Sequence, residues 1–65
     1  MDSRRERFEA LFNEHATAVH RYVRRRAHEA DVEDVVADVF VVAWRKFDEI
    51  PTDFEQPWLF RTAWN

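Results

Sequence analysis

The sequence predicts an all-α fold: a compact three-helix domain made of two long antiparallel helices and the start of a third. Three observations lead to this prediction. The chain has 65 residues with no glycine and only two prolines, whereas a β-protein of this length needs several tight turns, usually built from Gly, Asn or Pro. Six Phe, three Trp and one Tyr supply rings for a small core. Apolar residues also recur at steps of three and four, the spacing of one helix face.

Helix one is predicted at about residues 4–28. Ser3 followed by Glu6 is a capping-box pattern, in which each side chain accepts a hydrogen bond from a free backbone N–H of the first turn. The helix then carries one apolar stripe, formed by Phe8, Leu11, Phe12, Ala16, Val19, Tyr22, Val23 and Ala27. Cations oppose the helix dipole in the last turns, and four arginines lie there: Arg21, Arg24, Arg25 and Arg26.

Helix two is predicted at about residues 32–48. Asp31 is the expected N-cap, and Glu33 and Asp34 place acidic charge in the first turn, where the dipole favours it. The apolar stripe is formed by Val32, Val35, Val36, Val39, Phe40, Ala43, Trp44 and Phe47. The valine-rich stretch 35–44 has high β-propensity and on that ground alone predicts a strand. Helical periodicity, length and capping favour a helix, because tertiary packing often overrides propensity.

A connector at residues 49–56 precedes the start of helix three at 57–65. Pro51 stops the preceding helix, and Pro57 fits a first helical turn, where its missing N–H costs little. The inner face of helix three is formed by Trp58, Leu59, Thr62 and Ala63. The sequence ends after about two turns of this helix without a capping signal, so we expect residues 1–65 to be one domain of a longer protein.

Composition argues against several classes of function. The chain has no cysteine, so a disulfide or a thiolate metal site is impossible, and its only serine, Ser3, is explained as a cap. His15, His20 and His28 are five and eight residues apart and do not share a helix face as zinc ligands would. We therefore expect solvated histidines, no enzyme, no metal and no cofactor. The longest apolar run, 39–44, is too short for insertion into a membrane.

Four residues of helix two lie on adjacent turns outside its apolar stripe: Asp34, Ala37, Asp38 and Val41. For Val41 and its neighbour Val42 the stripe leaves no obvious place in the core. One interpretation is an ordinary solvated face with spare valines. The other is a docking surface, in which exposed aliphatic groups flanked by carboxylates receive a basic helical partner. The residues alone leave both interpretations open.

The last third of the chain mixes cations with aromatic rings, a combination that binds the phosphates and unstacked bases of single-stranded nucleic acid. The residues concerned are Arg45, Lys46, Arg61, Phe54, Phe60 and Trp64. We expect Trp44, Phe47 and Trp58 to be core residues, whereas Phe60 and Trp64 fit either a core or a binding role. The formal net charge of −3 is unusual for a domain that binds DNA alone, because such domains are usually basic.

Two segments together resemble region 2 of the extracytoplasmic-function sigma factors of bacterial RNA polymerase. The segment DVEDVVADVFVVAWRKFDEI (31–50) is similar to the family's Asp-Ala-Glu-Asp-Leu-Val-Gln-Glu helix, which leads to an aromatic and a basic residue. After a short loop, PWLFRTAWN (57–65) is similar to the family's Trp-Leu-aromatic-Arg-Ile-Ala-Arg-Asn helix start. The opening helix, FEALFNEHATAVHRYVRRRA (8–27), resembles the family's first helix in pattern. The resemblance thus covers nearly the whole chain.

The resemblance implies a transcription initiation factor domain that docks on the clamp coiled coil of core RNA polymerase and recognises and melts the promoter −10 element. It implies polymerase contacts from helix two, at Asp34, Ala37, Asp38 and Val41. It also implies that the loop and the third helix capture a base flipped out of the non-template strand of promoter DNA. Together with the cations noted above, the expected DNA-binding residues are Arg45, Lys46, Ile50, Arg61 and Asn65.

The chain departs from the family pattern in both motifs. Ala37 replaces the family's Gln in the docking helix, and Thr62 and Trp64 replace an Ile and an Arg before the final Asn. The family's C-terminal DNA-binding domain is not expected within residues 1–65. An anti-sigma factor is a further expected partner, and the expected location is the cytoplasm, at the nucleoid. The alternative is a protein-interaction module without its own DNA-binding role, either bound by an anti-sigma factor or homodimeric through Val41 and Val42.

Overall fold

The computed structural model describes residues 3–64, and over that range the chain forms three α-helices and no strand. Helix α1 is Arg4–Arg24, α2 is Val32–Arg45 and α3 is Glu55–Trp64, with short 3-10 turns at Glu29–Asp31 and Phe47–Glu49. The predicted all-α class with three helices is therefore confirmed. No helix in the described range is long and apolar enough to cross a membrane.

Helix α1 begins at the predicted capping box. The Glu6 N–H donates to Oγ of Ser3, and the Ser3 N–H donates to Oε1 of Glu6, each at 3.1 Å. These two bonds satisfy backbone donors at a helix end that has no intrahelical partners for them. They also fix the position of Arg4, the first residue of α1, whose side chain reaches the end of α2.

Helix α1 ends at Arg24, short of the predicted end near residue 28. The N–H groups of Arg26 and Ala27 both donate to the carbonyl of Val23, each at 2.9 Å. Because two donors converge on one carbonyl, the last turn tightens and the chain turns away from the helix axis. Ala27 still packs against the core, as its place in the apolar stripe predicts.

Helix α2 starts at Val32 as predicted, but Asp31 does not cap it. Asp31 belongs to the preceding 3-10 turn, with φ −99° and ψ −9°, and its side chain makes no capping hydrogen bond. Asp31 thus occupies the predicted N-cap position, but the capping that was expected of its side chain does not occur. The turn leads directly into the helix, with the Asp31 N–H donating to the carbonyl of His28 at 2.8 Å. The acidic first turn is present as expected, with Glu33 and Asp34.

Helix α2 ends at Arg45, and the part of the predicted helix beyond it forms the separate 3-10 turn Phe47–Glu49. The valine-rich stretch 35–44 is helical throughout. Val39 is 2% exposed and Ala43 is fully buried, so this stretch lies on the core. Packing has therefore overridden the β-propensity of the valines.

Helix α3 begins at Glu55, slightly before the predicted start at Pro57. Pro57 still lies in the first turn, where a backbone N–H has no intrahelical partner to lose. The connector enters the helix through Asp53, whose φ of 71° is in the left-handed region that Asp adopts more readily than most residues. The Asp53 N–H donates to Oε2 of Glu55 at 3.2 Å, which ties this turn to the helix.

Helices α1 and α2 pack antiparallel, as predicted. The ring centroids of Phe8 and Trp44 are 5.3 Å apart, and those of Phe12 and Phe40 are 4.8 Å apart. Residue numbers therefore rise along α1 as they fall along α2.

Helix α3 lies beside both and runs in the direction of α1. Gln56 contacts His15 and Phe60 contacts Tyr22, so residue numbers rise together in the two helices. The three helices enclose a single core, formed by Leu11, Val19, Val23, Val32, Val39, Phe40, Ala43 and Leu59.

His15 contradicts the expectation that all three histidines are solvated. The residue is only 9% exposed, and its Nδ1 is hydrogen-bonded to Oε1 of Gln56 at 3.2 Å. The first turn of α3 covers it, a contact that exists only because α3 packs alongside α1. His28 is exposed and His20 is half-buried. Within residues 3–64 no three His, Cys, Asp or Glu side chains come close enough together to hold a metal ion.

Candidate functional site

One surface of α2 turns away from the core. The four predicted docking residues are all exposed on it, and we call them the acidic face: Asp34, Ala37, Asp38 and Val41. Their spacing of three and four residues places them on neighbouring turns of one side of the helix. Val41 is 48% exposed, so an aliphatic side chain stands in solvent beside two carboxylates. Val42, the other spare valine, is half-buried and faces α3 instead.

The acidic face is bordered by two large aromatic rings. The apolar stripes predict both rings to be core residues. Trp44 is 40% exposed and Phe12 of α1 is 42% exposed. Trp44 lies one helical turn beyond Val41, and Phe12 rests edge-to-face on the nearly buried Phe40. The prediction of Trp44 as a core residue is therefore wrong, because the stripe of α2 is wider than the surface that α1 and α3 cover.

These rings make the acidic face part of a larger apolar surface. Five large apolar side chains are exposed within residues 3–64, and three of them, Phe12, Val41 and Trp44, lie here. A shallow groove of about 290 Å³ opens between α1 and α2 beside them. Its lining consists of Phe12, His20, Glu33, Val36, Ala37 and Phe40. Clustered exposed apolar groups of this kind are typical of protein-binding surfaces.

The start of α1 holds the end of α2 in place. Nη2 of Arg4 donates a hydrogen bond to the backbone carbonyl of Trp44, and the guanidinium carbon lies 4.4 Å from the centroid of the Trp44 ring. Phe8 packs edge-to-face on Trp44 and on Phe47, with centroids 5.3 and 6.2 Å apart. These contacts fix the helix end that carries the two cations following Trp44.

A second groove, which we call the α2–α3 groove, lies between the end of α2 and α3. It has a volume of about 350 Å³ and is lined by Val42, Lys46, Glu49, Trp58, Arg61 and Thr62. Two of the predicted DNA-binding residues, Lys46 and Arg61, thus meet at one concavity with a half-buried Trp58 ring. Cations beside a ring can hold a phosphate and a base at the same time.

The structure does not bring the other predicted DNA-binding residues into this groove. Arg45 is exposed but does not line it. Ile50 is half-buried, packs against the core and lines a separate cavity of about 410 Å³ beside α1. Asn65 lies outside the described residues. Of the predicted set, Lys46 and Arg61 are therefore the two that the described structure places together.

The aromatic residues that fitted either role divide between the two. Phe60 is half-buried and stacks on Tyr22, with centroids 4.2 Å apart and planes within 10°. Trp64 is 55% exposed, and Phe54 in the connector is 63% exposed. Phe47 and Trp58 are half-buried against the core, close to their expected role.

Comparison with known proteins agrees with the sequence motifs. The family model Sigma-70 region 2 matches residues 11–65. The chain is 45% identical over 38 residues to the RNA polymerase sigma factor NccH of Alcaligenes xylosoxydans xylosoxydans, a match that covers 57% of this chain and 20% of NccH. The chain thus spans about a fifth of the length of the curated relative that it matches. No solved structure matches it. The resemblance to region 2 of the sigma factors is confirmed: the chain belongs to the sigma-70 region 2 family, a domain family of transcription initiation factors.

Proposed function

We propose that this domain docks on the clamp coiled coil of core RNA polymerase through the acidic face of α2, and that it recognises and melts the promoter −10 element. The observation that carries the docking proposal is the exposure of Asp34, Ala37, Asp38 and Val41 together on one side of α2. Such a role places the domain in the cytoplasm, at the nucleoid.

The charges of the acidic face support a basic partner. Within residues 3–64 neither Asp34 nor Asp38 contacts a basic side chain, because the contacts found there between basic and acidic side chains join Arg5 to Glu9 and His15 to Glu14. Both carboxylates are therefore available to a partner without breaking an existing interaction. Complementary charge at an interface speeds association and selects the correct partner.

The apolar residues beside those carboxylates support a protein partner rather than a dissolved ion. Val41, Trp44 and Phe12 are each 40% or more exposed, and burying such groups contributes roughly 25 cal/mol per Å². Ala37, where the family carries Gln, lines the groove between α1 and α2, and its short side chain leaves that groove open to a side chain of the partner. A helix with alternating basic and aliphatic residues fits both features.

The α2–α3 groove supports the promoter-opening part of the proposal. Lys46 and Arg61 provide positive charge for phosphates, and the Trp58 ring provides an apolar wall for a base. Flipping a base out of a duplex costs a few kcal/mol, which contacts in such a groove must offset. The chain's net charge of −3 fits an arrangement in which the polymerase supplies much of the remaining affinity for DNA.

Charge reversal tests the docking proposal. Asp34→Lys combined with Asp38→Lys should weaken binding to a clamp coiled-coil fragment at least about tenfold, or about 1.4 kcal/mol, because attraction is replaced by repulsion. The matched control is Glu14→Lys with Asp48→Lys, which makes the same charge change at two exposed residues lining the cavity beside α1. Equal affinity of the two double variants would contradict the proposal.

Substitution in the α2–α3 groove tests the promoter-opening part. Lys46→Ala and Arg61→Ala, in the full-length protein with core polymerase, should reduce formation of the open promoter complex while binding to the clamp fragment stays unchanged. Arg5→Ala, at an exposed residue on the first turns of α1, is the control. Open-complex formation at the unsubstituted level in both groove variants would contradict this part.

A second candidate is a protein-interaction module without a DNA-binding role, bound by an anti-sigma factor or homodimeric. The clustering of Phe12, Val41 and Trp44 at one surface is the observation that favours it, since these groups serve any apolar partner. Val42 is half-buried, which leaves Val41 as the valine available to such an interface. Binding of the full-length protein and polymerase to single-stranded oligonucleotides separates the candidates: a preference for a −10-type sequence supports promoter recognition, and its absence supports the module.

A further inference from the structure

The end of α1 carries a concentrated positive charge that the proposed docking and promoter-opening sites do not use. Arg21, Arg24, Arg25 and Arg26 are all exposed, and none is in an ion pair within residues 3–64. The C-terminal end of a helix carries about half a unit of negative charge. That partial charge offsets only a fraction of four guanidinium groups. The excess is notable in a chain whose net charge is −3.

One of these arginines is held in a fixed position by a stack of rings. The guanidinium carbon of Arg26 lies 4.0 Å from the centroid of the Tyr22 ring, and its Nη1 donates to the Tyr22 carbonyl at 3.4 Å. Tyr22 in turn stacks on Phe60 of α3 at 4.2 Å. The position of Arg26 therefore depends on the packing of α1 against α3, and less side-chain entropy remains to be lost when it binds.

The arginines do not all face the same way. Arg21, Arg25 and Arg26 line a concavity of about 270 Å³, whose other walls are Ala18, Tyr22 and Phe60. Arg24 does not line this concavity; it lies on a neighbouring surface with Phe12 and Val36, which Arg21 also borders. We call the three that converge on the concavity the α1 arginine site. Arg24 is then a control provided by the chain itself.

The α1 arginine site lies on the other side of α3 from the α2–α3 groove. Phe60, which borders the arginines, is two residues from Trp58 and two from Thr62, which line the groove, and side chains two residues apart lie about 200° apart around a helix, on nearly opposite sides. Positive charge thus flanks α3 on two sides. A nucleic acid bound at the groove and passing over α3 meets the arginines next.

We propose that the α1 arginine site binds backbone phosphates of double-stranded DNA beside the opened segment. The proposal rests on the promoter-opening function proposed above and adds a contact from a different helix. A duplex fits better than a single strand because the two faces of Tyr22 are covered by Arg26 and by Phe60. Tyr22 therefore offers no face for stacking a base, as sites for single strands do, and the site binds through charge alone.

The salt dependence of DNA binding tests this proposal. The full-length protein with core polymerase is titrated with a promoter fragment that contains duplex beside an open −10 segment, at several salt concentrations. Arg25→Gln with Arg26→Gln is compared with Arg5→Gln with Arg24→Gln, which removes the same charge from exposed positions outside the site. Far-UV circular dichroism confirms that each variant is folded.

Losing two phosphate contacts should reduce the slope of log K against log salt by about 1.8. Between about 50 and 200 mM salt the Arg25/Arg26 variant should then lose about 12-fold less affinity than the control variant. Arg25→Lys with Arg26→Lys should keep the original slope, because a lysine also pairs with a phosphate as a point charge. Equal slopes for the two glutamine variants would overturn the proposal.

A second measurement keeps the arginine site separate from the promoter-opening function. The full-length protein without polymerase is titrated at low salt with a duplex of unrelated sequence and with a single strand of equal length. The Arg25/Arg26 glutamine variant should lose more affinity for the duplex than for the single strand. Equal losses, or no binding of the duplex by the unsubstituted protein, would overturn the proposal. The oligonucleotide assay described above measures the preference for a −10-type sequence. If that preference is absent while the variant still loses duplex affinity as expected, only the promoter-opening function is refuted.

Discussion

Leu59 is the side chain that fixes α3 in the core, and its truncation gives a quantitative test of the fold. It is fully buried, and it belongs to the same cluster as core residues from α1 and α2. Leu59→Ala removes three side-chain carbons and leaves a cavity, which lowers the free energy of unfolding by about 3–5 kcal/mol. At about 0.05–0.15 kcal/mol per residue, a 65-residue domain has roughly 3–10 kcal/mol in total. The variant should therefore be close to its unfolding threshold.

Thermal and urea unfolding followed by far-UV circular dichroism measure this effect. Leu59→Ala should lower Tm by roughly 12 °C or more, since 1 kcal/mol corresponds to about 4–8 °C in a domain of this size. Trp64→Ala is the matched control: it removes a larger apolar side chain from the same helix at a position that is 55% exposed, and should cost under about 1 kcal/mol. A loss below about 1 kcal/mol for Leu59→Ala would refute the described packing of α3, and with it the α2–α3 groove.

Further predictions concern the contacts made by α1. Ser3→Ala should lower the free energy of unfolding by about 1 kcal/mol, because the capping box is lost; urea unfolding measures it, and a value near zero contradicts the role of the box. Arg4→Gln should lower the free energy of unfolding by about 1–2 kcal/mol, because it removes the stacking on the Trp44 ring and the hydrogen bond to the Trp44 carbonyl. Arg5→Gln should lower it by under about 0.5 kcal/mol, because the pair that Arg5 forms with Glu9 is exposed. His15→Ala should lower the free energy of unfolding by about 1–3 kcal/mol, because its buried contact with α3 is lost. The exposed His28→Ala should lower it by under about 0.5 kcal/mol. Equal losses at the two histidines would contradict the contact of His15 with α3.

Most of the fold follows from local signals in the sequence. The capping box at Ser3, the three-and-four spacing and the absence of glycine lead to the correct class, helix number and start of α1. The predicted positions of the helix ends are less accurate. The end of α1 depends on two N–H groups that share the carbonyl of Val23, and the end of α2 depends on a change to 3-10 geometry. No glycine or proline in the sequence marks either of these two helix ends.

Asp31 shows why a capping residue in the sequence is insufficient. A side-chain cap needs an extended backbone at the cap residue, and the 3-10 turn Glu29–Asp31 gives Asp31 a helical backbone instead. The acidic residues that follow it are still placed as expected. Composition at the start of α2 was therefore informative, whereas the geometry of that start was set by the preceding turn.

The candidate sites depend more strongly on tertiary packing. The exposure of Asp34 and Val41 follows from helical spacing alone, and the structure places both in solvent. Trp44 and His15 could not be placed in this way, because exposure of the first depends on how far α1 covers α2 and burial of the second depends on Gln56 of α3. The arginines at the end of α1 are plain in the sequence, but the concavity that Arg21, Arg25 and Arg26 form with Phe60 appears only when α3 is in place.

Site-specific photo-cross-linking tests the docking proposal most directly. Val41→p-benzoylphenylalanine places a photoreactive group at the exposed valine of the acidic face, and Thr52→p-benzoylphenylalanine places it on the exposed connector. With core RNA polymerase, the group at position 41 should cross-link to the clamp coiled coil, and Asp34→Lys with Asp38→Lys should reduce the yield. The group at position 52 should give little cross-linking to the clamp. Cross-linking to the clamp from position 52 but not from position 41 would contradict docking through α2.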